Sequence, residues 1–363
     1  MDYQYYGTRA KASEVKGFIK HILESNQLVE QEGKRKTPVC IWGRHGIGKT
    51  EIVEGLAKEL GWNFAYIAPA QFEEMGDLVG MPTIEDGRTV FRAPQWVPSE
   101  DGPGILLIDD VNRADDRILR GIMQLLQNYE LISWKLPRNW HIILTANPDG
   151  GDYSVTPMDE AMLTRMMHIT LEFEVKEWAK WAEAQGVDPR GINFVLTYPE
   201  LVSGNRTTPR TLVQFFESTR NLEDLVMHLD LIQILGASTL DKETVSAFIS
   251  YVNQNLAELV SPETILDSED FEQEVVIPLK EVVLQETIRV DILAALLTRI
   301  AHYSARPDTE LTSARIENLK RFIKLDFLPN DLRLSLIQDL VSGKRSELLA
   351  LLADEDIASR LLG

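Results

Sequence analysis

The chain has 363 residues, with 56 acidic and 37 basic side chains and a formal net charge of −19. Hydrophobic content of 44% and charged content of 26% are ordinary for globular protein, and the length suits two or three domains. The negative field counts against nucleic acid or an anionic membrane as the main partner, and no run of 18 apolar residues suggests a span.

A single cysteine, Cys40, excludes a disulfide framework and a paired-cysteine metal site, and fits a reducing, cytoplasmic setting. Met1 to Ala10 is polar and aromatic, without the apolar core of a signal peptide. Residues 8–30 read as an amphipathic helix through Val15, Phe18, Ile19, Ile22 and Leu23, and Gln31 to Lys36 reads as a polar break.

Val39 to Trp42 is an apolar run suited to a buried parallel strand. The next eight residues are Gly43, Arg44, His45, Gly46, Ile47, Gly48, Lys49 and Thr50, which match G-x-x-x-x-G-K-[ST] at every fixed position. The glycines allow a tight turn that aims backbone N–H groups at phosphate oxygens. Lys49 supplies a cation near the β and γ phosphates, and the Thr50 hydroxyl can ligate Mg²⁺. Ile52, Val53, Leu56, Ala57 and Leu60 then mark one face of a helix that ends at Gly61, and its positive N-terminus points at the same phosphates. The ligand that this pattern predicts is ATP with Mg²⁺.

Asn63 to Ile67 reads as a second strand. Asp86-Gly87 between Thr83-Ile84 and Thr89-Phe91 is a hairpin signal at about 81–92, inside what is otherwise a strand–helix alternation. Gly104 to Ile108 is an apolar strand that runs into two acids. Asp109 is placed to hold Mg²⁺ and Asp110 to orient or activate an attacking water. A helix from Asp116 to Gln127 follows, then a small hairpin over Tyr129 to Asn139, then a strand ending in Ala146. Asn147, before Pro148, is a candidate γ-phosphate sensor, with a plain turn asparagine as the alternative.

Thr156-Pro157 reads as a helix start, Arg165 as a cation at that helix's C-terminus beside the sheet edge, and Met167 to Leu171 as a fifth strand. Beyond Val175 the pattern is helical. Trp178 and Trp181 read as core, and the acidic run from Asp267 to Glu274 as a solvated loop. Thr208-Pro209 places Arg210 second in a helix, where a cation opposes the helix dipole unless an anion lies nearby. Pro329 to Leu340 and Ser346 to Leu362 read as closing helices.

In order, the segments GRHGIGKT, LLIDDVNRA, ILTANP, MDEAMLTRM and TPRTL resemble the AAA+ ATPases, and most closely their MoxR-like branch. The resemblance covers about residues 10–240. It implies an α/β fold, in which a P-loop parallel sheet flanked by helices (1–174, with its hairpin insert at about 81–92) precedes an all-α lid (175–240) and an α-helical C-terminal domain (241–363). It implies an ATP-hydrolysing homo-oligomer, commonly a hexameric ring, that remodels or activates partner complexes, often with a von Willebrand factor A domain protein. Lys49, Thr50, Asp109 and Asp110 would act in cis, with Asn147 as sensor 1 and Arg210 as sensor 2. Arg165 would reach the neighbour's γ-phosphate, and Arg113 is the second choice for an interface contact. The two hairpins would face the ring's pore or a partner. The family usually has glutamate where this chain has Asp110. The shorter acid sets two alternatives beside the remodelling enzyme: an ATP-gated scaffold with little turnover, and a DNA-directed motor disfavoured by the charge.

Overall fold

The computed structural model describes residues 5–148, 155–253, 260–284, 288–305, 309–342, 345–349, 351 and 354–362. The chain divides into two compact units, Met1–Glu174 and Val175–Gly363.

The first unit is built on a six-stranded parallel sheet. Its strands are β1 (Thr8–Ala10), β2 (Val39–Trp42), β3 (Asn63–Ile67), β6 (Gly104–Ile108), β9 (Trp140–Ala146) and β10 (Met167–Leu171), ordered β1-β10-β2-β9-β6-β3. Successive side chains of a strand point to opposite faces. Cys40 and Trp42 therefore join one core with Leu106, Ile108, Ile142 and Leu144, while Val39 and Ile41 join another with Ile105, Leu107 and Ile143. Helices α1 (Ala12–Gln31) and α2 (Lys49–Leu60) cover the second face, and α3 (Met75–Val79) and α4 (Asp116–Asn128) the first. Because both faces are covered, the central strands are mainly apolar rather than alternating, with His141 and Thr145 of β9 the buried polar exceptions.

The two hairpins expected from sequence are present. Strands β4 (Met81–Glu85) and β5 (Arg88–Arg92) pair antiparallel. Asp86 and Gly87 have φ of 49° and 73°, the left-handed pair that a two-residue turn needs. Strands β7 (Glu130–Leu131) and β8 (Trp134–Lys135) form the second, smaller hairpin. The hairpins are joined: Phe91 N donates to Ser133 Oγ at 3.1 Å. Trp96 packs edge-on against Trp134, whose indole N–H donates to the Val79 carbonyl. Gly80 closes the hairpin base at φ 87°, where a Cβ would lie 1.8 Å from the Arg92 carbonyl oxygen.

Two sequence readings of this unit need correction. The predicted helix over 8–30 begins at Ala12, because Thr8–Ala10 pairs with β10 as the sheet's edge strand. Thr156 does not cap the following helix. That helix, α5 (Glu160–Leu163), is capped by Asp159, which accepts from Met162 N at 2.7 Å. Thr156 instead donates through its hydroxyl to the Ala114 carbonyl.

The second unit is helical. Helices α6 (Val175–Ala184), α7 (Pro189–Thr197), α8 (Pro209–Thr219), α9 (Leu229–Thr239) and α10 (Lys242–Asn253) precede α11 (Pro262–Asp267), α12 (Ile277–Val283), α13 (Val290–Ala305), α14 (Ser313–Ile323), α15 (Asn330–Ser342), α16 (Ser346–Leu349) and α17 (Glu355–Leu362). Its core holds an aromatic cluster in which Phe194 and Phe215 both meet Phe248 edge-on at 5.0 Å. Arg299 on α13 pairs with Glu183 and donates to Asn193, both sides of the ion pair being buried. Two readings change here. Trp178 is buried but Trp181, at the edge of the same helix face, is exposed. The acidic run is not a loop throughout: Asp267 ends α11, bridged to Arg315, and Glu272 and Glu274 lie in a helical turn.

Candidate functional site

Three adjacent strands, β2, β9 and β6, end at the same edge of the sheet, and the residues that follow them form one polar cluster. The crevice beyond the C-terminal ends of parallel strands is where open α/β sheets bind ligands. Here β2 delivers the glycine loop, β6 the acids and β9 the asparagine.

The loop turns through left-handed residues. Gly46 and Gly48 have φ of 71° and 95°, and Gly48 caps α2. A Cβ at Gly48 would meet nothing nearer than Glu51 Oε2 at 3.9 Å, so the loop is open above that glycine. Lys49 is buried and curls back over the loop. Its ammonium donates to the carbonyls of Gly43 (2.7 Å) and Arg44 (3.0 Å) and to Asn147 Oδ1 (3.2 Å). A buried ammonium is stabilised only by such partners or by an anion that takes their place.

Asp109 gathers three hydroxyl donors. Thr50 Oγ1 lies 2.9 Å and Thr145 Oγ1 2.6 Å from Oδ1, and the Tyr66 hydroxyl lies 3.1 Å from Oδ2. Thr50 and Asp109 thus stand side by side, an all-oxygen pair that fits Mg²⁺, which uses one or two protein oxygens and fills its other positions with water and phosphate. The residues present fit both a phosphate chain and its metal.

Asp110 adopts φ 49° and ψ 44°, the left-handed region that aspartate tolerates better than longer side chains. Its N–H donates to Thr145 Oγ1 at 2.8 Å. Its carboxylate accepts from Asn147 Nδ2 at 2.9 Å and faces Arg113 Nε at 3.3 Å. Lys49, Thr50, Asp109, Asp110 and Asn147 are therefore brought together, and Arg113 joins them through Asp110.

Arg165 is not in that cluster. It follows α5, where its Nε donates to Gln127 Oε1 at 3.2 Å and its guanidinium also holds the Ala161 carbonyl. Arg210 belongs to the second unit, at the second position of α8, and is exposed.

Thr145, Tyr66 and Asn112 were not singled out by sequence. Thr145 binds both the Asp109 carboxylate and the Asp110 N–H. A usable signal existed: on a strand, Thr145 shares the face of Asn147 two residues on. Tyr66 and Asn112 carry no comparable local mark. Cys40 stands near the loop, but burial pushes its thiol up, which leaves it inert as a nucleophile.

Residues 38–166 match the family model of the AAA domain, dynein-related subfamily. The match covers about a third of the chain, the stretch that carries the glycine loop, both acids and Asn147. The chain is 32% identical over 133 residues to an "ATP-dependent protease ATP-binding subunit-like protein" of Rhodococcus erythropolis, across 30% of this chain and 35% of that one. The chain thus spans about a third of that relative's length. Among solved structures it resembles the Thermotoga maritima RuvB Holliday junction branch migration motor (15% identity, 77% of this chain and 87% of the other, TM-score 0.37). It also resembles Hsp104 with ATPγS and casein in a closed state (14% identity, 59% and 45%, TM-score 0.41).

Proposed function

We propose that the AAA domain at residues 38–166 binds ATP with Mg²⁺ and hydrolyses it, and that the chain works as a ring-forming remodelling ATPase of the MoxR-like kind. One observation supports this above the others. Lys49, Thr50, Asp109, Asp110 and Asn147 come from three different strand ends and meet within hydrogen-bond reach.

The phosphates lie on the loop N–H groups of residues 43–50 and the N-terminus of α2. Lys49 exchanges its carbonyl partners for phosphate oxygens. Thr50 and Asp109 would hold Mg²⁺, which would supply positive charge against the phosphoryl oxygens. Asp110 orients the attacking water and accepts its proton, with Asn147 beside both the water and the γ-phosphate. Arg165 acts on a neighbouring subunit's nucleotide, as the donor that stabilises charge at an interface. Its contacts with Gln127 and Ala161 are made on this chain's own surface, and it has no part in this chain's own cluster.

Residues 175–240 are assigned as the lid, with Arg210 as the second sensor, and residues 241–363 as a C-terminal helical domain. The partners proposed are protein complexes, with a von Willebrand factor A domain protein as the candidate adaptor, in the cytoplasm. Among the described residues no helix is long and apolar enough to cross a membrane. The net charge of −19 disfavours a DNA-directed motor.

A second reading, an ATP-gated scaffold with little turnover, is favoured by Asp110 itself. Its carboxylate retreats by about 1.5 Å relative to a glutamate, and misplacement of about 1 Å can cost on the order of 100-fold in rate. Steady-state ATP hydrolysis across a protein-concentration series decides between them. The ring enzyme requires activity per subunit that rises with concentration and is lost in Arg165→Ala. A wild-type rate at background, raised at least tenfold in Asp110→Glu, establishes the scaffold; full activity in Arg165→Ala removes the trans role.

A further inference from the structure

The ladder between β6 and β9 ends at Ile108 opposite Leu144. Beyond it the β6–β9 register has no further pair, yet Asn147 is held at both its backbone N–H and its carbonyl. The holder is Asn112, in the short helical turn Val111–Arg113 after the acids. Asn112 Nδ2 donates to the Asn147 carbonyl at 2.8 Å, and Asn147 N donates to Asn112 Oδ1 at 3.0 Å. One side-chain amide thus replaces a missing rung of the sheet. Both residues are fully buried, so neither bond can be exchanged for water.

The bracket has a consequence for the Asn147 side chain. With its main chain fixed from behind, its amide faces forward, Oδ1 to Lys49 and Nδ2 to Asp110. Asn112 also accepts from Thr156 N at 2.8 Å through its own carbonyl, which ties the segment leading to α5 into the same turn. The chemistry is specific. The position needs one donor and one acceptor on separate atoms of a planar group, which an amide has, while a carboxylate only accepts and a hydroxyl offers its donor and acceptor at a single oxygen that cannot span both backbone groups.

We infer that Asn112 is a positioning residue for ATP hydrolysis: it touches no nucleotide, and acts by fixing Asn147 between Lys49 and Asp110. The inference rests on the sensor role proposed for Asn147. It predicts that Asn112→Ala lowers kcat by about 10- to 100-fold, as expected for a displacement of order 1 Å. The Kd for a fluorescent ATP analogue should stay at the wild-type value, because the loop and Lys49 are untouched.

The decisive measurement is a double-mutant cycle with Asn147→Ala in the full chain. If Asn112 acts through Asn147, the double variant is no slower than Asn147→Ala alone. Losses that multiply, or an Asn112→Ala kcat equal to wild type, overturn the inference. Asn112→Ser, which keeps one hydroxyl for one of the two bonds, should fall between wild type and Asn112→Ala; it takes Asn112→Ala's place in the cycle if that variant does not fold. Wild-type turnover in Asn147→Ala would remove the sensor role and this inference together. A slow Asn147→Ala beside a fast Asn112→Ala would remove this inference alone.

Discussion

The two ends of the central strands hold two polar clusters of opposite character. At the C-terminal end, Lys49, Thr50, Asp109, Asp110 and Asn147 satisfy one another through hydrogen bonds in a cluster that is partly open. At the N-terminal end, the groups are closed off. Lys36 donates to Glu30 at 2.6 Å and to the Trp140 carbonyl at 2.8 Å, and lies over the Tyr129 ring. Glu30 in turn accepts from Asn139 N. His141, one residue into β9, is fully buried against Trp62, and neither ring nitrogen has a hydrogen-bond partner. Burial pushes the Lys36 ammonium down against the pull of Glu30, and pushes His141 down to about 3, with Lys36 adding to the shift. The shifts of Lys36 and His141 therefore record dehydration at this end of the sheet. The other end is marked instead by convergence of donors and acceptors from separate strands.

The largest effect expected from this contrast is at Lys49. Lys49→Ala removes the one buried cation of the glycine loop, and should lower turnover by about 100- to 1,000-fold, in line with loss of a single preorganised donor to transferred charge. Nucleotide binding by fluorescence should fall with it. Wild-type binding in Lys49→Ala would mean that the cluster at this end serves structure as the other does.

Thr145→Val comes next, because it keeps shape while deleting both the donor to Asp109 and the acceptor for Asp110 N. Groups that orient a metal's ligand typically contribute 10- to 100-fold to metal affinity. The Mg²⁺-dependent part of nucleotide binding should weaken by about that factor, and binding in EDTA should not change. Equal weakening with and without Mg²⁺ would show that Thr145 supports the fold rather than the metal carboxylate.

The parts legible in the sequence were those written over a short stretch. The glycine loop, the acids after an apolar strand and the Asp86-Gly87 turn each depend on neighbours within about ten residues. The AAA+ sheet followed from their order. What could not be read depends on neighbours far apart in the chain. Asn112 acquires its role from Asn147, 35 residues on, and Tyr66 from Asp109, 43 residues on. The three residues of β1 carry no pattern of their own and merge into the helix that follows. They are a strand only because β10 offers an edge to pair with. The Asp159 cap was overlooked because Thr156-Pro157 is the stronger local signal, and Asn112 and Ala114 claim Thr156 for the site instead.

His141 gives the smallest and cleanest test of the contrast. Its folded value of about 3 lies below the unfolded value of 6.5, so the unfolded chain binds the proton first. The stability it confers is complete above pH 6.5 and is lost as pH falls toward 3. By pH 5.5 the loss reaches about 1.4 kcal/mol, one unit below the unfolded value. His141→Phe keeps a ring against Trp62 and cannot titrate. Urea midpoints of the two proteins should therefore diverge between pH 7.5 and 5.5, wild type falling faster; carboxylates common to both cancel in the difference. Turnover at neutral pH should be the same in both. Parallel stability curves would mean that water or a partner reaches the His141 ring, and loss of turnover at neutral pH would mean that the two ends of β9 are coupled rather than separate.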